Sequence, residues 1–154
     1  MDIALLACCK RKLDTLAPAR DLYQGTLFKH ALAYVEQIVR PDRTFILSAA
    51  YHVVTPCDRI WPYDKTLNDF TAREVRTWGG WVQTKLHVQH AIRVVTEHRW
   101  IILAGRTYRK GLYWLDDVPT DQIVLPLASV GGIGKQIAWL KEQLQCNHQP
   151  PLLA

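Results

Sequence analysis

Long apolar runs, Cys-x-x-Cys spacings and the glycine signatures of nucleotide-binding loops are all missing from this chain of 154 residues. No stretch approaches the roughly 18 apolar residues needed to cross a bilayer, and the apolar run over residues 3–7 lacks the basic lead and the length of an export signal. A cytoplasmic protein with no membrane partner is therefore expected. Four cysteines occur, Cys8, Cys9, Cys57 and Cys146, without any Cys-x-x-Cys spacing. That argues against structural zinc and, with no export signal, for reduced thiols. The Gly-x-x-x-x-Gly-Lys-Ser/Thr loop and the Gly-x-Ser-x-Gly elbow are absent, and the glycines come too late for a dinucleotide fingerprint. No repeat or low-complexity segment stands out. Neither a metal nor a cofactor is expected.

What is present is the composition of one globular domain. Hydrophobic residues make up 49% and charged residues 21%, and the length suits a single core. Nineteen Lys and Arg against 14 Asp and Glu give a net charge of +5, which favours polyanionic partners. The oligomeric state is left open.

Strand-length apolar runs alternate with helical periodicity. Asp2-Ile3-Ala4-Leu5-Leu6-Ala7-Cys8 is continuous, as in a strand buried on both faces, and stops at the basic cluster Lys10-Arg11-Lys12. Residues 13–25 hold a proline, two aspartates and a Tyr-Gln-Gly turn and read as a long loop. From Thr26 onward, Leu27, Phe28, Ala31, Tyr34, Val35 and Ile38 follow helical spacing, and Pro41 closes the helix. A second strand over residues 44–48 leads into a polar loop reaching about Asn68. Asn68-Asp69-Phe70-Thr71 offers capping residues for a helical stretch over residues 72–98, with Gly79-Gly80 as the expected break. Residues 99–105 and 122–126 read as further strands, residues 106–115 as a short helix and residues 135–145 as a last amphipathic helix. The prediction is an α/β fold: a single three-layer domain over residues 1–146, with a mainly parallel sheet of about four strands, helices on both faces, and a tail over residues 147–154. In such a domain the loops after Ala7, Leu47, Ala104 and Pro126 leave one sheet edge and converge on one cleft.

Four segments carry the chemistry. In Cys8-Cys9-Lys10-Arg11-Lys12, a thiol beside lysines suits a nucleophile and the lysines suit a phosphate or carboxylate; a small buried residue and a solvated turn account for the same letters. Arg20, Asp21 and Tyr23 offer an anion clamp and a stacking ring, or simply an Arg–Asp pair ordering the loop. Leu47-Ser48-Ala49-Ala50-Tyr51-His52-Val53-Val54-Thr55-Pro56, with Trp61-Pro62-Tyr63-Asp64, brings Ser48, Tyr51, His52, Asp58, Tyr63 and Asp64 into one loop. His52 is a candidate base and Asp64 could activate water, while Tyr51 and Tyr63 could stack on a base or seal the loop, and Ser48 could cap local backbone. Ala104-Gly105-Arg106-Thr107-Tyr108 and Val130-Gly131-Gly132-Ile133-Gly134-Lys135-Gln136 set small residues and a cation at expected helix starts, which suits an anion or only a tight turn.

Three blocks taken together resemble a family of short bacterial and phage proteins over nearly the whole chain. They are Cys8-Cys9-Lys10-x-Lys12 with Ala17-Pro18-Ala19-x-Asp21-Leu22-Tyr23, then Ile46-Leu47-Ser48-Ala49-x-Tyr51 with Pro56 and Pro62-Tyr63-Asp64-x-x-Leu67, then Leu103-Ala104-Gly105-x-x-Tyr108 with Gly132-Ile133-Gly134-x-Gln136. The central block is similar to the Leu-Ser-x-x-Tyr-Gly, Pro, Pro-Tyr signature of the peroxide-stress protein YaaA family, whose members are associated with DNA binding and protection from oxidative damage. The cysteine-lysine block is similar, more loosely, to a segment of archaeosine synthase, a tRNA-base modification enzyme. This chain carries His52 where such proteins usually carry Gly, and Ala50 where the short family often has Lys. The resemblance puts weight on Ser48, Tyr51, Pro56, Tyr63 and Asp64.

The expectation is a protein that binds or acts on a nucleobase or nucleotide in DNA or RNA processing. Its candidate catalytic residues are Cys8, Ser48, Tyr51 and Asp64; Lys10, Lys12, Arg20, Tyr23, Tyr63, Arg106, Tyr108 and Gln136 are candidates for holding substrate or phosphate. Whether it is an enzyme stays open. Two alternatives stand beside it. One is a non-catalytic DNA-binding stress protein using Arg73, Arg76, Lys85, Arg93 and Arg99; the other is a phage or defence accessory protein.

Overall fold

A computed structural model describes residues 1–148. In chain order it contains β1 (Asp2–Ala7), β2 (Ala17–Pro18), α1 (Ala19–Leu22), α2 (Thr26–Tyr34), β3 (Arg43–Ser48), β4 (His52–Val54), β5 (Arg59–Ile60), α3 (Ala72–His90), β6 (Arg99–Leu103), α4 (Arg106–Gly111), β7 (Ile123–Val124) and α5 (Ile133–His148), with short 3-10 and π turns between them. The α/β class is as expected, with five strands in the main sheet rather than about four. Their order is β4-β3-β1-β6-β7, parallel except for β4, and β2 pairs with β5 in a separate antiparallel ribbon.

The apolar run of β1 earns the central position. Leu5 sits opposite Phe45 on one side and Ile102 on the other, so both strand edges are paired. Alternate residues then serve two hydrophobic clusters, because successive side chains of a strand point opposite ways. Ile3 and Leu5 join Trp78, Val82 and Leu86 of α3, whereas Ala4 and Leu6 join Phe28, Ala31 and Leu32 of α2 and Leu140 of α5. Trp100, Phe45, Leu5 and Leu6 are fully buried, each contributing about 1.5–3 kcal/mol by leaving water.

Helix ends follow local chemistry. α2 widens into a π turn at Val35–Val39 and stops where Arg40 turns left-handed, its N–H donating to the Val35 carbonyl at 2.8 Å. Thr71 and Glu74 form a capping box on α3, the Glu74 carboxylate accepting from the Thr71 N–H at 2.7 Å and the Thr71 hydroxyl from the Glu74 N–H at 3.2 Å. The break expected at Gly79-Gly80 does not occur: α3 runs through both and ends at the left-handed Ala91. Gly79 lies where α4 crosses, and a Cβ there would stand 1.6 Å from the Gly111 carbonyl oxygen. The glycine is needed for that contact, and packing outweighs its poor helix propensity of about 1 kcal/mol.

Other sequence readings shift by short elements. The segment read as a loop over residues 13–25 contains β2 and α1, and the loop after β3 turns back at once as β4 before pairing again as β5. The last helix extends past residue 145 to His148; residues 149–154 of the expected tail lie outside the described residues. Among the described residues, no helix is long and apolar enough to cross a membrane.

Candidate functional site

The connection from β1 leads outward to β3, and the chain then returns past β1 to form β6. Strand order reverses between β1 and β6, and loops leaving the carboxyl ends of two such strands part to open a crevice. A cavity of about 310 Å³ lies there, lined by Ala7, Cys8 and Cys9 after β1 and by Ala104, Gly105, Arg106 and Arg109 after β6, with Gln136 of α5 among its other walls. Its size falls at the lower end of small-molecule sites.

Cys8 lines this cavity and stands beside a group of tyrosines. Its backbone N–H extends the β1–β3 ladder to the Leu47 carbonyl at 3.0 Å, and its Sγ lies 3.1 Å from the Tyr108 hydroxyl. The wholly buried Ser48 closes β3 and donates from Oγ to the Tyr63 hydroxyl at 2.8 Å; Tyr63 in turn meets the Tyr23 hydroxyl at 2.8 Å. Ser48 Oγ also accepts the Tyr51 N–H at 3.0 Å, and its carbonyl accepts the Trp78 indole N–H at 2.9 Å. Burial above all, and then the neighbouring Cys8, holds the phenols of Tyr23, Tyr63 and Tyr108 above the ordinary value. All three remain protonated at neutral pH and keep a hydrogen to donate. Burial likewise pushes the Cys9 thiol up, partly offset by the Gly25 N–H that donates to Cys9 Sγ at 3.2 Å.

The cations divide. Lys12 Nζ lies 4.3 Å from the centre of the Tyr63 ring and 5.7 Å from that of Tyr23, so its charge covers the tyrosine group. Lys10 is exposed and offers its carbonyl to Lys12 Nζ. Arg20 pairs with Glu36 at 3.0 Å and does not line the cavity. Arg106 lines it, as does Gln136, whose amide donates to the Gly131 carbonyl at 2.9 Å. Asp64 is exposed and lines neither this cavity nor a second one beside α3. Tyr51 uses its hydroxyl on the backbone of Trp61, accepting its N–H at 3.2 Å, and so holds the loop shut.

Arg109 was missed in sequence. It lines the cavity one helical turn from Arg106, and its Nε is buried without a hydrogen-bond partner. The signal available was the i, i+3 spacing of Arg106 and Arg109 on a short helix following a strand. An unpaired buried donor of a guanidinium is costly, and Arg106 and Arg109 together give this cavity a cationic wall that suits an anion.

His52 sits at φ 67°, in the left-handed region that favours glycine, at the tight turn from β3 into β4. A glycine at this position, which the resemblance leads one to expect, would have a backbone reason. The basic residues of the DNA-coating alternative are largely engaged: Arg99 pairs with Asp2, Arg76 stacks 4.1 Å from the centre of the Tyr113 ring, and Lys85 donates to the Tyr51 carbonyl at 2.8 Å. Among the described residues, no group of three or more His, Cys, Asp or Glu is gathered in a way that could hold a metal ion.

The fold and cavity define an α/β domain with a crevice at the reversal of its strand order. The chain belongs to the DUF6884 family, a family of unknown function, whose model matches residues 3–142. No match was found among curated proteins or among solved structures.

Proposed function

We propose that this protein binds a nucleobase or nucleotide in the cavity between β1 and β6 and acts in the processing of DNA or RNA bases. The observation that carries the reading is the pair of cations Arg106 and Arg109 lining a cavity of about 310 Å³ that Gln136 and Cys8 also line. An anion in this cavity meets the charges of Arg106 and Arg109, and the Gln136 amide suits the edge of a base. Protonated Tyr108 and the Ser48–Tyr63–Tyr23 string supply donors near Cys8, the residue best placed to touch the ligand. The two hydrophobic clusters support a three-layer arrangement, with α2 and α5 covering one face of the sheet and α3 and α4 the other. The resemblance to the YaaA family, and the looser one to archaeosine synthase, belong to the same reading, as does a cytoplasmic location.

Thermal unfolding against nucleobases, nucleoside monophosphates and short oligonucleotides tests it. A ligand of the native state raises the melting temperature with concentration, by an amount equivalent to about 2.7 kcal/mol at a hundred times Kd. Arg109→Ala should abolish the rise for the phosphate-bearing ligand, and Cys8→Ser should leave binding intact while removing any turnover. No rise with any of these ligands would sink the reading. Duplex binding that is steeply salt-dependent and indifferent to Tyr63→Ala would favour the DNA-coating alternative instead.

A further inference from the structure

Cys8 and Cys9 are adjacent in sequence and both line the cavity between β1 and β6, yet their thiols are held in opposite ways. Cys9 Sγ is committed to the backbone. It accepts the Gly25 N–H at 3.2 Å and donates to the Arg11 carbonyl at 3.2 Å, and a Cβ on Gly25 would stand only 2.9 Å from it. Cys8 Sγ has a side chain for its neighbour instead, the Tyr108 hydroxyl at 3.1 Å, and either atom of that pair can be the donor.

Both members of the pair are fixed by regular structure. Cys8 directly follows β1, its N–H bonded to the Leu47 carbonyl at 3.0 Å, while Tyr108 is carried by α4 with its ring edge-on to Trp78 at 5.5 Å. Burial keeps the Tyr108 phenol protonated at neutral pH, so its hydrogen is there to donate to sulfur. Arg106 and Arg109 line the same cavity as Cys8 and draw an anionic ligand into it. A thiol bonded twice to backbone holds a turn. A thiol on the wall of a cationic cavity, facing one phenolic donor, is arranged as a nucleophile.

We infer that Cys8 forms a covalent bond to an electron-poor ring carbon of the base bound in this cavity, the Tyr108 hydroxyl donating to the sulfur as the thiol gives up its hydrogen. The inference rests on the nucleotide reading for its ligand class and goes beyond it in naming the step. The thiol hydrogen passes to water, the Sγ–C bond forms, the double bond from that carbon to a ring nitrogen opens, and the nitrogen takes a hydrogen from water. Nothing is oxidised or reduced, and reversal restores both base and thiol. Cys9 takes no part in it.

A chloropurine nucleoside monophosphate reads the step directly, because attack at the chlorine-bearing ring carbon expels chloride and leaves a stable thioether. After incubation with the full chain, fragmentation mass spectrometry assigns the label among the four free thiols. Cys8 should carry it, with Cys9 and the exposed Cys57 and Cys146 unlabelled, and unmodified nucleoside monophosphates should slow the labelling. Tyr108→Phe should slow labelling of Cys8 by about tenfold or more, the worth of a hydrogen bond to a charged group, and displace its pH dependence. Alkylation of Cys57 by iodoacetamide should stay at the wild-type rate in that variant. A hydroxyl that only packed over the sulfur would leave labelling of Cys8 unchanged or faster, and that result overturns the role of Tyr108. Should the variant not fold, labelling of the wild type still decides the role of Cys8. Label on another thiol, or none on Cys8 while a monophosphate binds in an Arg109-dependent way, overturns the inference and leaves the first reading standing. Absence of both binding and labelling overturns both.

Discussion

Tyr63 is the residue on which the hydroxyl string turns. It accepts from a serine with no solvent exposure and meets Tyr23, so removing its oxygen strands the Ser48 hydroxyl away from water. Tyr63→Phe should lower stability by about 1–3 kcal/mol, read as a fall in the urea midpoint. Ser48→Ala with Tyr63→Phe should cost less than the sum of the two single changes, because the second loss no longer leaves a stranded partner. Additive costs would show that the hydrogen bond carries little. The same scale explains what sequence could and could not reveal about the site. Cys8, Ser48 and Tyr108 were legible because each closes or follows an apolar strand run, and Tyr63 because it lies in the Pro62-Tyr63-Asp64 block that carries the resemblance. The pairing of Arg20 with Glu36, 16 residues on, and the turning of Tyr51 onto the Trp61 backbone were not, since both depend on how loops fold back.

The contact between α3 and α4 is the element on which the cavity wall depends, because α4 carries Arg106, Tyr108 and Arg109. It closes through Gly79 and Gly111: a Cβ on Gly79 meets the Gly111 carbonyl, and one on Gly111 would come within 2.8 Å of the Trp78 ring. The Trp114 indole N–H adds a bond to the Gly79 carbonyl at 3.1 Å. Gly79→Ala should therefore cost more than about 2 kcal/mol in spite of the better helix propensity of alanine. Gly80→Ala, whose Cβ would find only the Tyr113 hydroxyl at 3.4 Å, should be neutral or stabilise by up to about 1 kcal/mol. Chemical denaturation of the two variants checks the contrast, and equal effects would refute it. The expected helix break failed here for a physical reason: two adjacent glycines lower helix propensity, but a close helix crossing demands one of them. β1, β3 and β6 were legible because burial on both faces leaves continuous apolar runs. β4 and β5 were not, being two or three residues long and fixed by pairing rather than by pattern.

For the whole molecule, the shifted groups set a stability plateau. Burial, with nearby cations, holds His52, His90 and His98 below the ordinary histidine value. Below about pH 6.5 the unfolded chain therefore binds protons that the folded chain resists, and stability falls as pH falls. Cys9 and the three buried phenols are shifted the other way. Above about pH 9 to 10 the unfolded chain releases protons that the folded one keeps, and stability falls as pH rises. Urea midpoints from acid to alkaline pH should show a maximum between roughly pH 7 and 9, with a shallower alkaline limb in Tyr63→Phe. A midpoint that climbs on the alkaline side would contradict the burial of the phenols. The strand order has a further consequence during synthesis. β1 precedes the other strands of the sheet in the chain and is the central strand of the finished sheet, yet its partner in β6, beginning with Arg99 opposite Asp2, is made nearly a hundred residues later. The nascent chain carries an apolar strand with one edge unpaired while those residues are added, and the crevice, built on the β1–β6 pairing, takes shape only after it.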